Sequence, residues 1–179
     1  MFTIPNSILL VIDVQGNLAQ AMHNAGDLSS RIGLLIKAAH IFDIPIICTE
    51  QVPQKLGKTS PDIMKILGEV KPIEKASFSA WGSTEFQAAL KKSKRNQVIV
   101  TGIEAHVCVY QTVRDLLIEK FAVEVVTDAV SSRTAANKTI ALQRMKDLGA
   151  GLTSTEMLVC ELMKTAEYKN FREILSLIK

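Results

Sequence analysis

Cysteine is scarce in this sequence. There are three, Cys48, Cys108 and Cys160, an odd number at long spacings with no Cys-x-x-Cys pair. That excludes a disulfide framework and a dithiol redox motif as the organising chemistry. No secretory leader is visible, because Ile8–Ile12 is a short apolar run ahead of Asp13 with no basic flank. Free thiols in a reducing, cytoplasmic setting are therefore expected. No apolar run approaches the roughly 18 residues that a membrane span needs. Charge of one sign is also missing, since the formal net charge is only +3. The one basic cluster, Lys91, Lys92, Lys94 and Arg95, has no aromatics interleaved with it. It reads as a solvated helix end, and no nucleic-acid partner is expected. A glycine-rich phosphate turn is absent too. Val14-Gln15-Gly16-Asn17-Leu18 follows the first apolar run with one glycine and no G-x-G-x-x-G, which argues against a nucleotide-binding protein.

What is present is a globular chain. Its 179 residues are 47% hydrophobic and 22% charged, enough to bury a core as one domain spanning 1–179. Short apolar runs alternate with longer helical patterns. Ile8–Asp13, Ile44–Thr49, Gln97–Gly102 and Val123–Asp128 are rich in Val and Ile and apolar at successive positions. Such runs suit strands covered on both faces, as in a parallel sheet. Ile73–Lys75 and Gly151–Thr153 are shorter candidates. Helices are predicted over Leu28–Phe42, from Pro61, from Ser83 to about Lys92, and over Cys108–Lys120, Ala135–Leu148, Thr155–Met163 and Asn170–Ile178. In the first, Leu28, Ile32, Leu35, Ile36 and Ala39 form one stripe. Glu50–Thr59, with Pro53 and Gly57, reads as a surface loop. The alternation predicts an α/β fold: a doubly wound, mostly parallel six-stranded sheet with helices on both faces, a Rossmann-like three-layer sandwich.

In such sheets ligands bind beyond the carboxyl ends of the strands. Three residues there carry chemistry. Cys108 follows a strand by a short turn and opens a helix, whose N-terminal N–H groups and partial positive charge favour a thiolate and a developing oxyanion. A buried, inert cysteine fits the same position. Asp13 ends the first strand after the apolar run Ile8–Ile12, where partial burial suits a carboxylate to proton transfer. A loop or capping aspartate fits as well. Lys75 closes the short Ile73–Lys75 run, and on spacing alone it is equally a surface lysine.

Taken together, five pieces of sequence resemble the isochorismatase-like cysteine hydrolase superfamily, which includes the nicotinamidases. They are Leu10-Val11-Ile12-Asp13-Val14-Gln15, Lys75-Ala76-Ser77-Phe78-Ser79-Ala80, Val100-Thr101-Gly102-Ile103-Glu104-Ala105-His106-Val107-Cys108-Val109, Thr127-Asp128-Ala129-Val130-Ser131-Ser132-Arg133 and Thr153-Ser154-Thr155-Glu156. The Gly-Ile-Glu-Ala-His-Val-Cys turn is most similar to the isochorismatase domain-containing proteins. The resemblance implies that Asp13, Lys75 and Cys108 form a catalytic triad and that Cys108 attacks a carbonyl to give an acyl-enzyme. It implies an oxyanion hole from the backbone N–H groups of Glu104 and Cys108, and a cis peptide between Ile103 and Glu104. It also implies a homo-oligomer.

Departures from the family pattern narrow the chemistry. Metal-dependent nicotinamidases carry Asp-x-His after the second strand, where this chain has Thr49-Glu50-Gln51, and its only histidines are His23, His40 and His106. No metal and no cofactor are expected. True isochorismatases lack the cysteine, so Cys108 favours acyl transfer over enol-ether hydrolysis. The expectation is a hydrolase of a small-molecule amide or related C–N bond. The competing one is a catalytically silent oligomeric or interaction protein on the same fold. Gln15, Glu50, Phe78 and Trp81 are candidate pocket residues. His106 is a structural or subunit-contacting candidate, Asp128 and Arg133 belong to a loop network, and Cys48 and Cys160 are read as core thiols. The C-terminal stretch Tyr168–Ile178 is amphipathic and could pack on a neighbour.

Overall fold

The computed structural model of the chain describes residues 1–178. Six strands make one sheet in the order β3-β2-β1-β4-β5-β6, every pair parallel. They are β1 (Ser7–Ile12), β2 (Ile46–Gln51), β3 (Ile73–Lys75), β4 (Gln97–Ile103), β5 (Ala122–Ser131) and β6 (Gly151–Thr153). Strand order reverses between β1 and β4, which opens a crevice at their carboxyl ends.

Period-two alternation along β1 explains why both faces must be covered. Leu9 and Val11 enter one core cluster, while Ile8, Leu10 and Ile12 enter the other. The first cluster is closed by α2 (Ala25–Ile41), α4 (Pro61–Leu67), α8 (Thr155–Met163) and α9 (Phe171–Ile178). The second is closed by α5 (Thr84–Ser93), α6 (Tyr110–Ile118) and α7 (Ala135–Asp147). Each fully buried Leu, Ile or Phe contributes about 1.5–3 kcal/mol. The predicted stripe on α2 is the buried one: Leu28, Ile32, Leu35, Ile36 and Ala39 are all inside. At the helix starts, Ser83, Thr134 and Ser154 accept hydrogen bonds from the N–H groups of Phe86, Asn137 and Met157.

The sequence-based expectations differ from the structure at several points, one of them β5, which runs past the expected end at Asp128 to Ser131. β2 continues through Gln51, so Glu50 and Gln51 are buried strand residues and do not belong to a surface loop. Beyond them Pro53–Leu56 forms a short helix, α3, with Pro53 at its start, where a missing N–H costs nothing; α1 (Gly16–Gln20) is likewise one turn long. The helix expected from Cys108 begins as a π-helical turn over Ala105–Val109 and becomes α-helical only at Tyr110. Cys160 is exposed, because the buried positions of α8 are Leu158, Val159, Leu162 and Met163 and Cys160 falls on the opposite side. Within the chain, α9 buries Ile174, and Tyr168 just ahead of it meets Phe42 edge-on at 5.5 Å.

One glycine positions the crevice. Gly102 has φ +114°, and a Cβ there would lie 2.6 Å from the Ile12 backbone nitrogen and run into the Ile12 carbonyl oxygen. Only glycine adopts that φ without strain, and only glycine lets β4 approach β1 so closely just before Asp13. Gly102→Ala is therefore expected to lower stability by several kcal/mol, of the size seen when strain and overpacking coincide. Urea unfolding checks it, with an unchanged midpoint contradicting the close-approach role.

Candidate active site

The ends of β1, β2 and β3 bring a carboxylate, an amide and an ammonium together. Asp13 directly follows β1 and is 1% exposed, with its backbone in the left-handed region at φ +52°. Aspartate tolerates that conformation better than most residues. Local bonds hold it there: the Asp13 N–H donates to the Thr49 carbonyl at 3.1 Å, and the Asp13 carbonyl accepts from the Gln15 N–H at 2.8 Å. The carboxylate is equally fixed. Its Oδ1 accepts from Thr49 Oγ1 at 2.7 Å, and its Oδ2 accepts from Lys75 Nζ at 2.7 Å.

Lys75 is buried for a reason visible in its strand. β3 has Ile73 and Lys75 on one face and Glu74 on the other, so the lysine goes inside with the isoleucine. Its ammonium there donates to Asp13 Oδ2, to Gln51 Oε1 at 2.6 Å, and to the carbonyls of Ser77 and Phe78 at 3.1 Å each. A buried cation needs such a set of acceptors, because desolvation alone would cost several kcal/mol. Gln51 stands abreast of Lys75 in the β2–β3 register, which is why its side chain reaches the ammonium.

Cys108 lies in the π-helical turn beyond β4 and is 7% exposed. The sequence argument expected its helix terminus to favour the thiolate. The structure reverses that balance. Burial and the charge of the nearby Asp13 carboxylate push the thiol up to about 12, against a smaller opposing pull from Lys75, and the charge of Glu104 pushes the same way as burial. The resting group is thus a neutral thiol facing a carboxylate. The Ile103–Glu104 peptide that opens this turn is cis. The Glu104 carbonyl accepts from the N–H groups of Val107 and Val109, closing the turn.

The structure thus gathers Asp13, Lys75 and Cys108 at one rim of the sheet. The pocket candidates are placed differently. Gln15 is a buried strut whose Nε2 donates to the Gln51 and Gly57 carbonyls and whose Oε1 accepts from the Gln51 N–H. Glu50 Oε1 accepts from the Thr59 N–H and Oγ1, at 2.6 and 2.7 Å, which spends that oxygen on holding the chain after β2. Trp81 packs edge-on against Phe86 and Phe121 with Lys91 above its ring, so its face serves the second core. Phe78 is more than half exposed beside the site, with its carbonyl on the ammonium. Asp128 Oδ1 accepts from the Thr155 N–H and hydroxyl, a structural task.

Thr49 and Gln51 were not singled out from sequence. Their signal was positional: on β2 they alternate with Glu50, so both share the face that meets Asp13 and Lys75. Among the described residues, no three His, Cys, Asp or Glu side chains are grouped so as to hold a metal ion. No helix among them is long and apolar enough to cross a membrane.

Comparison with known proteins identifies the family. The isochorismatase domain model matches residues 7–157. Isochorismatase domain-containing protein 2 of Danio rerio is 37% identical over 96% of this chain and 86% of its own. The solved structure of MAR1 ribonuclease from Caenorhabditis elegans superposes with a TM-score of 0.93 at 39% identity, covering 99% of this chain and 91% of that one. YcaC from Pseudomonas aeruginosa, solved with hexane-2,5-diol and covalent acrylamide, gives a TM-score of 0.92 at 25% identity, covering 98% and 90%. Fold, site and kinship together place this chain in the isochorismatase family.

Proposed function

We propose that the protein is a metal-independent cysteine hydrolase of small amides or related C–N bonds, using Cys108, Asp13 and Lys75. The observation that carries this is the buried Lys75–Asp13 pair at 2.7 Å standing against the Cys108 thiol. As the sulfur attacks the substrate carbonyl carbon, its proton passes to Asp13, so charge does not accumulate on an unassisted thiolate. Lys75 stays charged throughout, held by its oxygen acceptors, and balances the negative charge shared by sulfur and carboxylate. The carbonyl oxygen becomes an oxyanion, for which the backbone N–H groups of Glu104 and Cys108 are the proposed donors. Collapse breaks the C–N bond, and Asp13 returns its proton to the departing amine. Water then attacks the thioester, giving a proton to Asp13; on collapse the thiol leaves and recovers that proton.

Acrylamide is an electrophile for thiolates, and its covalent capture by the Pseudomonas aeruginosa relative fits this chemistry. Phosphodiester cleavage, which the name of the worm relative suggests, calls for cations free to meet a phosphate. Here the buried ammonium is already committed to four oxygens. The proposal includes assembly as a homo-oligomer and work in a compartment where thiols stay reduced.

The catalytically silent alternative draws on the same thiol, which is nearly buried and protonated at rest. Cys108→Ala separates the two. Ammonia or amine release from a panel of small amides is expected to fall by at least about a thousandfold, as when a covalent nucleophile is removed. Equal turnover by variant and parent would end the covalent mechanism, and no turnover by the parent on any amide would favour the silent scaffold.

A further inference from the structure

Gln51 closes β2 with its polar atoms committed. Its backbone N–H donates to Gln15 Oε1 at 2.6 Å, and its carbonyl accepts from Gln15 Nε2 at 3.1 Å. In the side chain, Nε2 donates to the Ala76 carbonyl at 2.7 Å and Oε1 accepts from Lys75 Nζ at 2.6 Å. One orientation of the amide satisfies both partners, since only the oxygen can face an ammonium and only the nitrogen can face a carbonyl. The next residue holds Lys75 by its other end. The Val52 N–H donates to the Lys75 carbonyl at 2.9 Å, and the Val52 carbonyl accepts from the N–H groups of Lys55 and Leu56 at 2.8 and 3.1 Å. Val52 makes these bonds with φ +38°. A β-branched residue in that left-handed region is strained and stays there only where its surroundings enforce it. Gln51 is thus pinned from both sides, and Gln51 and Val52 grip Lys75 at its ammonium and at its backbone.

We propose that Gln51 is a positioning residue for the Lys75 ammonium, a neutral acceptor that fixes the cation on Asp13 without sharing its charge. The inference rests on the reading of Asp13, Lys75 and Cys108 as one reacting group. Of the four oxygens around Nζ, the two close ones are Gln51 Oε1 at 2.6 Å and Asp13 Oδ2 at 2.7 Å, with the Ser77 and Phe78 carbonyls at 3.1 Å. A cation held between a carboxylate and an amide keeps its charge for the carboxylate. A second carboxylate in place of the amide would compete for it. The other ionisable groups nearby do not compete. Cys108 is a neutral thiol at rest. Glu50 and Glu74 alternate onto the opposite faces of β2 and β3, where Thr59 and Gln54 bind them. Gln51 itself is buried, so it acts through Lys75 and not on a substrate.

Two readouts test this, and the first needs no substrate. It is the proton–nitrogen NMR signal of the Lys75 ammonium, which a buried and fully bonded ammonium gives because its protons exchange slowly with water. The second is kcat and KM across pH on any amide that the parent hydrolyses. Gln51→Met nearly keeps the volume and removes the acceptor, so the ammonium signal is expected to be lost to exchange. With it, kcat is expected to fall about ten- to a hundredfold while KM stays within about threefold, as for a misplaced reacting group. Gln51→Glu restores an acceptor of the same shape and is expected to keep the ammonium signal. It is also expected to move the acid limb of the kcat profile upward by about one pH unit, because two carboxylates then share one cation. Thermal unfolding verifies that each variant folds, and Gln51→Leu is read in place of a Gln51→Met that does not. A parent without the ammonium signal, a Gln51→Met signal or kcat equal to the parent's, or an unmoved Gln51→Glu profile overturns the proposal. No turnover by the parent on any amide would end the hydrolase reading alone, and the ammonium signal would still decide whether Gln51 positions Lys75.

Discussion

Asp13→Asn is expected to make Cys108 more reactive towards iodoacetamide while abolishing turnover. The two effects come from the same atom pair and have opposite signs. In the parent the thiol is pushed up to about 12, first by burial and next by the charge of Asp13. Near neutral pH the thiolate is therefore a small minority. The substitution removes the charge of Asp13, leaves the burial unchanged and leaves the opposing pull of Lys75 in place. The titration moves down, the thiolate fraction at pH 8 rises, and alkylation is expected to accelerate at least about tenfold. Turnover moves the other way. An amide cannot accept the thiol proton or return it to the leaving amine, and loss of such a group costs about 10²- to 10⁴-fold. The new amide can still receive a bond from Lys75 through its oxygen and donate one to Thr49 Oγ1, so the fold is expected to hold. Alkylation at the Cys108 peptide and turnover of any amide that the parent hydrolyses are the two measurements. Slower alkylation would show that Asp13 does not hold the thiol protonated, and turnover within tenfold of the parent would remove it as the proton carrier.

The layout of the fold was legible because its physics is local. Alternating burial along a strand such as Ile8–Ile12, a stripe such as Leu28 to Ala39, and glycine at a required turn are each set by residues near one another in sequence. The positions of Asp13 and Cys108 followed from the rule about strand ends. Other features were not legible for equally physical reasons. The burial of Lys75 depends on four acceptors contributed by Asp13, Gln51, Ser77 and Phe78, and no short window contains that set. Glu50 looked like a loop residue because the apolar run stops at Thr49. The strand in fact continues through polar residues whose partners, Thr59, Lys75 and Gln15, lie elsewhere. Position left two readings of the thiol open, because a helix terminus is readable from sequence, whereas desolvation and a carboxylate brought from β1 are properties of the assembled core. The contacts of His106 with Ser132 and of Glu104 with Arg133 were hidden in the same way, because Ser132 and Arg133 follow β5, which outran the expected end at Asp128.

Lys75→Met is expected to be the most destabilising single change in the site. The side-chain volume is nearly conserved, so packing changes little, and what disappears is the charge. Asp13 would then keep its bond from Thr49 Oγ1 but lose its ionic partner, with the carboxylate 2% exposed. Removing one member of a buried pair costs about 3–5 kcal/mol, because the other remains desolvated and uncompensated. For a domain of this length that is roughly a 10 °C fall in melting temperature. Gln51 Oε1 and the Ser77 and Phe78 carbonyls would also lose their donor, adding to the loss. Much of this comes from the stranded carboxylate, so the double variant Asp13→Asn, Lys75→Met is expected to recover much of the stability. Turnover would stay absent in both. Chemical denaturation of the parent, the two single variants and the double closes the cycle. If Lys75→Met loses less than about 1 kcal/mol, the pair is not the buried, mutually dependent unit described here. If the double variant is no more stable than Lys75→Met, the stranded charge is not what makes the substitution costly.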